Sequence, residues 1–109
     1  MRMLIQIAIP VEAGNQAART GGLGPPFQKL VESLKPEAAY FTTGPTGERG
    51  GFIVFDMKDT SQLPGIAEPF FLAYNARVIF SPVMNAQDLA NAGPGIEKAV
   101  KAHSKAASA

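Results

Sequence analysis

Few side chains in this sequence are suited to acid-base or nucleophilic chemistry. It has one histidine, His103, and no cysteine, which excludes thiolate nucleophiles, disulfides and sulfur-ligated metal sites. A histidine acting as a general acid or base needs a positioned carboxylate, and a metal site needs several ligands. Because His103 has no such partner at a recognisable spacing, we interpret it as a surface or packing residue and expect no metal and no cofactor.

Two carboxylates lie in apolar stretches of the chain. Asp56 follows GFIVF, and Glu68 lies within IAEPFF. Burial would raise the pKa of either group and make it a candidate general base. Carboxylates are seldom buried without a partner, which favours Asp56 at a strand end in solvent and Glu68 on an outer helix face.

Polar side chains next to apolar runs are the candidates for ligand contact. We predict Tyr40, Glu68, Tyr74 and Arg77 as ligand-binding residues, and the sequence identifies no catalytic residue. Tyr40 and Arg77 have a structural alternative, because such side chains often lie along an apolar surface with the polar tip in water. They could also pair across a dimer interface.

The glycine-rich segment RTGGLGPPFQ (19–28) could bind a phosphate or could separate two helices. It lacks the Lys-Ser/Thr ending of a P-loop and the G-x-G-x-x-G spacing that follows a strand in dinucleotide sites. Its two prolines also lack the amide donors that hold anions in such loops. We therefore interpret it as a helix break, with Gly21, Gly22 and Gly24 as a candidate gating loop beside a cleft.

Length and charge limit the possible partners. A chain of 109 residues with a net charge of +1 predicts one domain and no field strong enough to gather nucleic acid or anionic lipid. The apolar stretch at the start is too short for a secretion signal or a membrane span. We expect a cytoplasmic protein with no nucleic-acid or membrane partner, forming a single domain over 1–109 whose tail, 104–109, frays.

The hydrophobic pattern predicts the elements that must position these residues. Alternation and β-branched content predict four strands, and three-to-four spacing of apolar residues predicts helices. Pro69 is expected to kink or end the second main helix. Helix caps are predicted at one of Asp59, Thr60 or Ser61, at Asn75, and at Asn85 with Asp88. The predicted strands are 2–9, 38–43, 51–57 and 76–83, and the predicted helical segments start near 15, 27, 61, 85 and 94.

This element order predicts an α+β, ferredoxin-like βαββαβ domain with a four-stranded antiparallel sheet and an added C-terminal helix. Helices cover only one face of such a sheet, yet the third strand has Phe52 and Val54 on one side and Ile53 and Phe55 on the other. An uncovered apolar face marks an interface. We therefore predict a homodimer formed through the open sheet face.

The segments KPEAAYF, IAEPFFLAYNARVIFSPVM and DLANAGPGIEKAV, in this order, resemble small bacterial proteins of unknown function in the dimeric α/β-barrel superfamily. The resemblance extends over nearly the whole chain. It implies a ferredoxin-like subunit, a dimeric α/β barrel and a cleft between sheet and helices for small aromatic or apolar ligands. Other members are cofactor-independent monooxygenases, muconolactone isomerases, haem-degrading enzymes and YCII-like proteins, and the resemblance implies no particular catalytic residues.

Three functional hypotheses follow. The first is a homodimer that binds a small, partly apolar ligand in a cleft between sheet and helices. The second is a structural or interaction module without a ligand, which a cleft filled by Phe27, Phe70 and Phe71 would favour. The third and least favoured is a cofactor-independent monooxygenase or isomerase that uses Tyr40, Glu68 or Arg77.

Overall fold

The computed structural model describes residues 1–44 and 46–108, with side chains through residue 104. Pro45, in the predicted hairpin turn, and Ala109, in the predicted tail, lie outside the described residues. In chain order the elements are β1 (Arg2–Ile9), α1 (Val11–Arg19), α2 (Pro25–Glu32), β2 (Ala38–Thr43), β3 (Arg49–Asp56), a 3-10 helix (Thr60–Gln62), α3 (Leu63–Tyr74), β4 (Arg77–Pro82), α4 (Ala86–Asn91) and α5 (Gly93–Ser108).

The four strands form one antiparallel sheet in the order β2-β3-β1-β4. In β1, Ile5 lies opposite Ile53 of β3 and Phe80 of β4, so these three side chains share one face of the sheet. The prediction of a ferredoxin-like α+β domain is confirmed by this topology. Pro82 ends β4, which is an edge strand. The missing amide donor of this proline therefore interrupts no hydrogen bonding between central strands.

Helices α1, α2 and α3 contribute to the core on one face of the sheet. The alternating strand residues that point to them are buried, and Ile5, Ile53 and Phe70 have no exposed surface. Helix α1 contributes Ala17 and helix α2 contributes Val31 to this core. Burying apolar side chains on this one face supplies the main driving force for folding.

The opposite face of the sheet, which we call the open face, is also apolar. It is formed by alternate residues whose cross-strand partners are given by the register: Leu4 with Val54, and Gln6 with Phe52 and Ile79. Leu4, Phe52 and Val54 are half-buried, whereas Ile79 is 51% exposed. The alternation of β3 thus assigns Phe52 to the open face and Ile53 to the core.

Three predicted helix caps are confirmed. The Asp59 side chain accepts a hydrogen bond from the Ser61 amide at 3.1 Å. Asn75 ends α3 with a left-handed backbone, φ 51°. Asn85 and Asp88 exchange side-chain to amide hydrogen bonds of 2.8 and 3.0 Å at the start of α4, and such reciprocal caps satisfy amide groups that the helix itself leaves free.

One expectation about helices is wrong and another is narrowed. Helix α1 begins at Val11 and not near Asn15. Its true start gives little hydrophobic periodicity, because its buried positions are the small residues Gly14 and Ala17. Pro69 does not end α3, which continues to Tyr74, and a kink at Pro69 stays a prediction. The packing of buried residues on both sides of Pro69, including Phe70, compensates for the lost hydrogen bond.

Helix α5 extends away from the sheet. The molecule measures 64 Å along its longest axis and 28 and 23 Å along the others, and Ile96 and Val100 on α5 are more than half exposed. The predicted break between the last two helices is confirmed, since α4 ends at Asn91 and α5 begins at Gly93. The helical backbone continues to Ser108, and fraying of the tail from residue 104 stays a prediction.

Candidate functional site

The glycine-rich segment ends α1 with a local hydrogen-bonding motif. Gly21 has a positive φ of 82°, the Gly22 amide donates to the Ala17 carbonyl at 2.7 Å, and the Gly21 amide donates to the Ala18 carbonyl at 3.4 Å. This pair of bonds with glycine in the left-handed position is a Schellman C-cap. Gly24 then precedes the two prolines that begin α2, so the predicted helix break is confirmed.

Tyr74 holds the loop between α1 and α2 against α3. Its hydroxyl donates a hydrogen bond of 2.5 Å to the Gly22 carbonyl, and its ring meets Phe27 edge-on at 5.3 Å. Burial raises the pKa of the Tyr74 phenol further above neutral pH, and the protonated hydroxyl acts as the donor. The loop is therefore tied to the body of the domain at Gly22.

A cavity of about 760 Å³ opens between α2 and the sheet, at the end where β1 finishes and β3 begins. We call it the α2 cleft. Its apolar lining comes from Ile9, Leu23, Phe27, Val31 and Phe41. Its polar lining comes from Gln28, Glu32, Thr42, Thr43 and Arg49.

The floor of the α2 cleft depends on a glycine. Phe41 on β2 lies directly opposite Gly51 on β3, and a Cβ on Gly51 would approach the Phe41 ring to 2.8 Å and the Tyr40 carbonyl oxygen to 2.7 Å. Gly51 therefore leaves room for the Phe41 ring to lie across the strand. The Phe27 ring packs edge-on against the Phe41 ring, with 5.9 Å between the ring centroids. This contact closes one side of the cavity with aromatic surface.

Arg49 supplies the positive charge of the α2 cleft. Its guanidinium donates to the Asn15 side-chain oxygen at 3.1 Å. A Cβ on Gly14 would lie 2.5 Å from its Nη1 atom, so the glycine in α1 leaves the space that the guanidinium occupies. In the part of the chain that the structure describes, no carboxylate lies within ion-pairing distance of Arg49.

The structure does not bring the four predicted ligand-binding residues together. Tyr40 is 70% exposed on the open face, Glu68 is exposed on α3, and Arg77 is exposed on the open face of β4. Tyr74 contacts the loop but does not line the α2 cleft. Of the predicted gating loop, Gly22 binds Tyr74, and Leu23 between Gly22 and Gly24 lines the cleft.

Sequence reasoning named Phe27 as a cleft residue and missed most of the others. Phe41 lies in a predicted strand and Arg49 in the predicted hairpin turn, and neither Gln28 nor Glu32 was a candidate. One usable signal was the hairpin register, which places an aromatic residue opposite Gly51 and so predicts a ring lying across the strand.

The remaining titratable candidates are exposed. Asp56 ends β3 and accepts a hydrogen bond from the amino group of Met1 at 2.7 Å, which lowers the pKa of this carboxyl. A carboxyl with a lowered pKa is a weak base. Asp56 is exposed, which confirms its interpretation as a strand-end residue in solvent. His103 is exposed on α5.

The described residues contain neither a cluster of metal ligands nor a membrane-spanning helix. No three His, Cys, Asp or Glu side chains within 1–44 and 46–104 are grouped so as to hold a metal ion. Among the described helices, none combines the length and apolar character needed to span a bilayer.

Comparison with known proteins identifies the fold and no family. No protein-family model and no curated protein sequence matches this chain. A solved structure, 5-chloro-2-hydroxyhydroquinone dehydrochlorinase (TftG) from Burkholderia phenoliruptrix AC1100 in complex with 2,5-dihydroxybenzoquinone, superposes with a TM-score of 0.59. The match covers 80% of this chain and 97% of TftG at 15% sequence identity. It supports the predicted fold class, a ferredoxin-like α+β domain.

Proposed function

We propose that this protein is a homodimer that binds a small, partly apolar ligand in the α2 cleft. The α2 cleft itself carries this proposal. Its volume of about 760 Å³ falls within the roughly 300–1,000 Å³ of small-molecule sites. Five apolar side chains surround the space and a few polar groups lie at its rim, the usual arrangement for binding with a fixed orientation.

The fold neighbour supports a small cyclic ligand. TftG was solved with 2,5-dihydroxybenzoquinone bound, a flat ring with polar oxygens. The α2 cleft offers matching surfaces, because the rings of Phe27 and Phe41 are flat and apolar while Thr43 and Arg49 provide polar groups nearby. A molecule of this size and polarity is the class we propose.

The glycine-rich loop is proposed as the gate of the α2 cleft. Leu23 lines the cavity between two glycines, and Gly22 is held by Tyr74. A movement of the loop that lengthens the Tyr74 hydrogen bond would carry Leu23 away from the cavity. This assigns Gly21, Gly22, Gly24 and Tyr74 to access and not to chemistry.

The homodimer is proposed through the open face. Phe52, Val54 and Ile79 form apolar surface there, and a second copy would remove it from water. Tyr40 and Arg77 lie on the same face, where each has a polar tip that can pair across the interface. A monomer by light scattering at micromolar concentration would contradict this part of the proposal. Bacterial origin stays a prediction that rests on the resemblance, and a cytoplasmic location stays a prediction that rests on the short apolar stretch at the start of the sequence.

The interaction-module hypothesis is less well supported. A cleft filled by Phe27, Phe70 and Phe71 would favour it. Phe27 does pack edge-on against Phe70 at 6.2 Å, but this contact fills the space between α2 and α3 and leaves the Phe41 side open. The enzyme hypothesis has no geometric support either, because Tyr40, Glu68 and Arg77 do not converge on the α2 cleft.

Ligand titration followed by amide NMR tests the binding proposal. We expect 2,5-dihydroxybenzoquinone and the neutral aromatic 4-ethylbenzamide to cause saturable shifts at the amides of Leu23, Phe41 and Gly50. Gln28→Trp places an indole in the cavity and should abolish the shifts. Gln16→Trp, the same change on an exposed part of α1 outside the cleft, should preserve them. Absent shifts, or equal binding by both variants, would refute the site.

A further inference from the structure

We infer that Arg49 binds an anionic oxygen of the ligand, so that the α2 cleft selects small aromatic or cyclic acids over neutral molecules of the same shape. This inference rests on the proposed function, because it names the ligand class of the same cleft. It concerns a residue that the sequence assigned to the hairpin turn.

The first support is the division of the α2 cleft into two ends. Thr43 and Arg49 are cross-strand partners and bring polar groups to the hairpin end. On the helical side Leu23 and Val31 are apolar, and the polar residues of that side, Gln28 and Glu32, are exposed at the rim. A ligand that fills both ends must itself have an apolar body and one polar end, since burying a polar group against apolar surface is unfavourable.

The second support is the position of the guanidinium. One hydrogen bond to Asn15 and the space above Gly14 hold it in place. A guanidinium has five N–H donors in a planar fork. Arg49 uses one of them in the contacts observed among the described residues, which leaves a pair of donors for a carboxylate in the two-bond geometry that arginine favours.

The third support is a contrast with Arg2. Arg2 is paired with Glu37 at 2.9 Å and with Asp88, so its charge is already neutralised. Arg49 has no such partner within the described ranges. Arg49 is exposed, so water screens part of its attraction for an incoming anion, and the apolar surface beside it limits that screening on the cleft side.

Glu32 is the opposing charge on the rim of the α2 cleft. It is exposed at the end of α2 and lines the same cavity as Arg49. A negative charge there weakens the binding of an acid by repulsion, and water screens this effect. The anion is therefore placed at the Arg49 end, away from Glu32.

A matched pair of probes tests the inference. 4-Ethylbenzoate and 4-ethylbenzamide have nearly the same shape and differ in charge. We expect the wild-type protein to bind the benzoate about tenfold more tightly, as one charge-assisted contact in a partly exposed site would give. Arg49→Gln should bring the ratio of benzoate affinity to benzamide affinity to about one and leave the benzamide affinity unchanged. Arg49→Lys should give an intermediate ratio, because a point charge lacks the fork geometry.

Three further variants separate position from charge. Arg77→Gln removes an equally exposed arginine from the open face and should leave the ratio at its wild-type value. Asn15→Ala releases the guanidinium and should lower the ratio in part. Glu32→Gln should strengthen the benzoate alone. Far-ultraviolet circular dichroism confirms that each variant is folded.

The possible failures are distinguishable. If both probes shift the α2 cleft amides with equal affinity, the anion inference is wrong and the proposed function stands. If neither probe shifts them, both are wrong. A ratio that falls equally in Arg49→Gln and Arg77→Gln would also overturn the inference, because the preference would then come from net charge and not from the cleft.

Discussion

The two faces of the sheet carry similar residues and have different surroundings. Ile53 on the helix-covered face is fully buried, and its neighbour Phe52 on the open face is only half-buried. Both belong to β3, and both are large and apolar. The difference arises because α1, α2 and α3 return to the same side of the sheet, as two crossovers in a ferredoxin-like order require.

This comparison separates the apolar surface that the subunit buries from the apolar surface that it leaves exposed. A strand buried on one face normally alternates apolar and polar residues. Here β3 is apolar on both faces, which is the pattern of a strand covered on both sides. The helices of the subunit cover one face, and the proposed homodimer would cover the other.

The largest expected effect comes from the same substitution made on each face. Ile53→Ala removes buried methylenes from the core and should lower the free energy of unfolding by about 2–5 kcal/mol. Ile79→Ala on the open face, where the side chain is 51% exposed, should change the stability of the subunit by only about 0.5 kcal/mol. Urea unfolding at several protein concentrations measures both, since only dimer contacts make the midpoint depend on concentration. Equal losses in the free energy of unfolding would contradict the difference in burial between the two faces.

The oligomeric state should respond in the opposite way, because it should depend on the open face and not on the core face. Phe52→Asp places a charge at the centre of the open face and should convert the dimer to a folded monomer, because an unpaired charge in an apolar interface is strongly unfavourable. Phe71→Asp is the matched control, since Phe71 is an exposed phenylalanine on α3. Sedimentation velocity gives the molecular mass of each variant. A dimer that survives Phe52→Asp would place the interface elsewhere.

Most of the fold could be predicted because its signals are local. The alternation in β1, the turn residues between β2 and β3, and the cap residues Asp59 and Asn75 each act within a few positions of the chain. The faces could not be assigned in the same way. When both faces of β3 are apolar, periodicity identifies the strand but does not say which side meets the helices.

The candidate site was much harder to predict. The α2 cleft combines the end of β1, the loop before α2, the helix itself and the hairpin end of β2 and β3, so no single segment contains its pattern. Arg49 looked like a turn residue within GPTGERG, and it is the first residue of β3. Its position beside Gly14 and Asn15 depends on how α1 packs against the sheet, which spacing along the chain does not encode.

The two tyrosines, Tyr74 and Tyr40, also compare a buried position with an exposed one, and the expected effects are smaller. Tyr74→Phe removes the hydroxyl that binds the Gly22 carbonyl and should lower the free energy of unfolding by about 1 kcal/mol. It should also speed amide hydrogen exchange at Leu23 and Gly24. Tyr40→Phe on the open face, where the ring is 70% exposed, should leave both quantities unchanged in the subunit. Unchanged exchange in Tyr74→Phe would contradict the proposed role of Tyr74 in holding the gate.

The smallest expected effect concerns the charged edge of the open face. Arg2 connects β1 to Glu37, just before β2, and to Asp88 in α4, and the hydrogen bond to Glu37 raises the pKa of Arg2. These groups are solvated, so Arg2→Gln should lower Tm only slightly at low salt, and the difference from wild type should disappear at high salt. Lys101→Gln, which removes a more exposed charge from α5, should not change Tm at either salt concentration. A loss for Arg2→Gln that persists at high salt would mean that its aliphatic stem packs against the sheet, and the edge would then belong to the core and not to the charged rim.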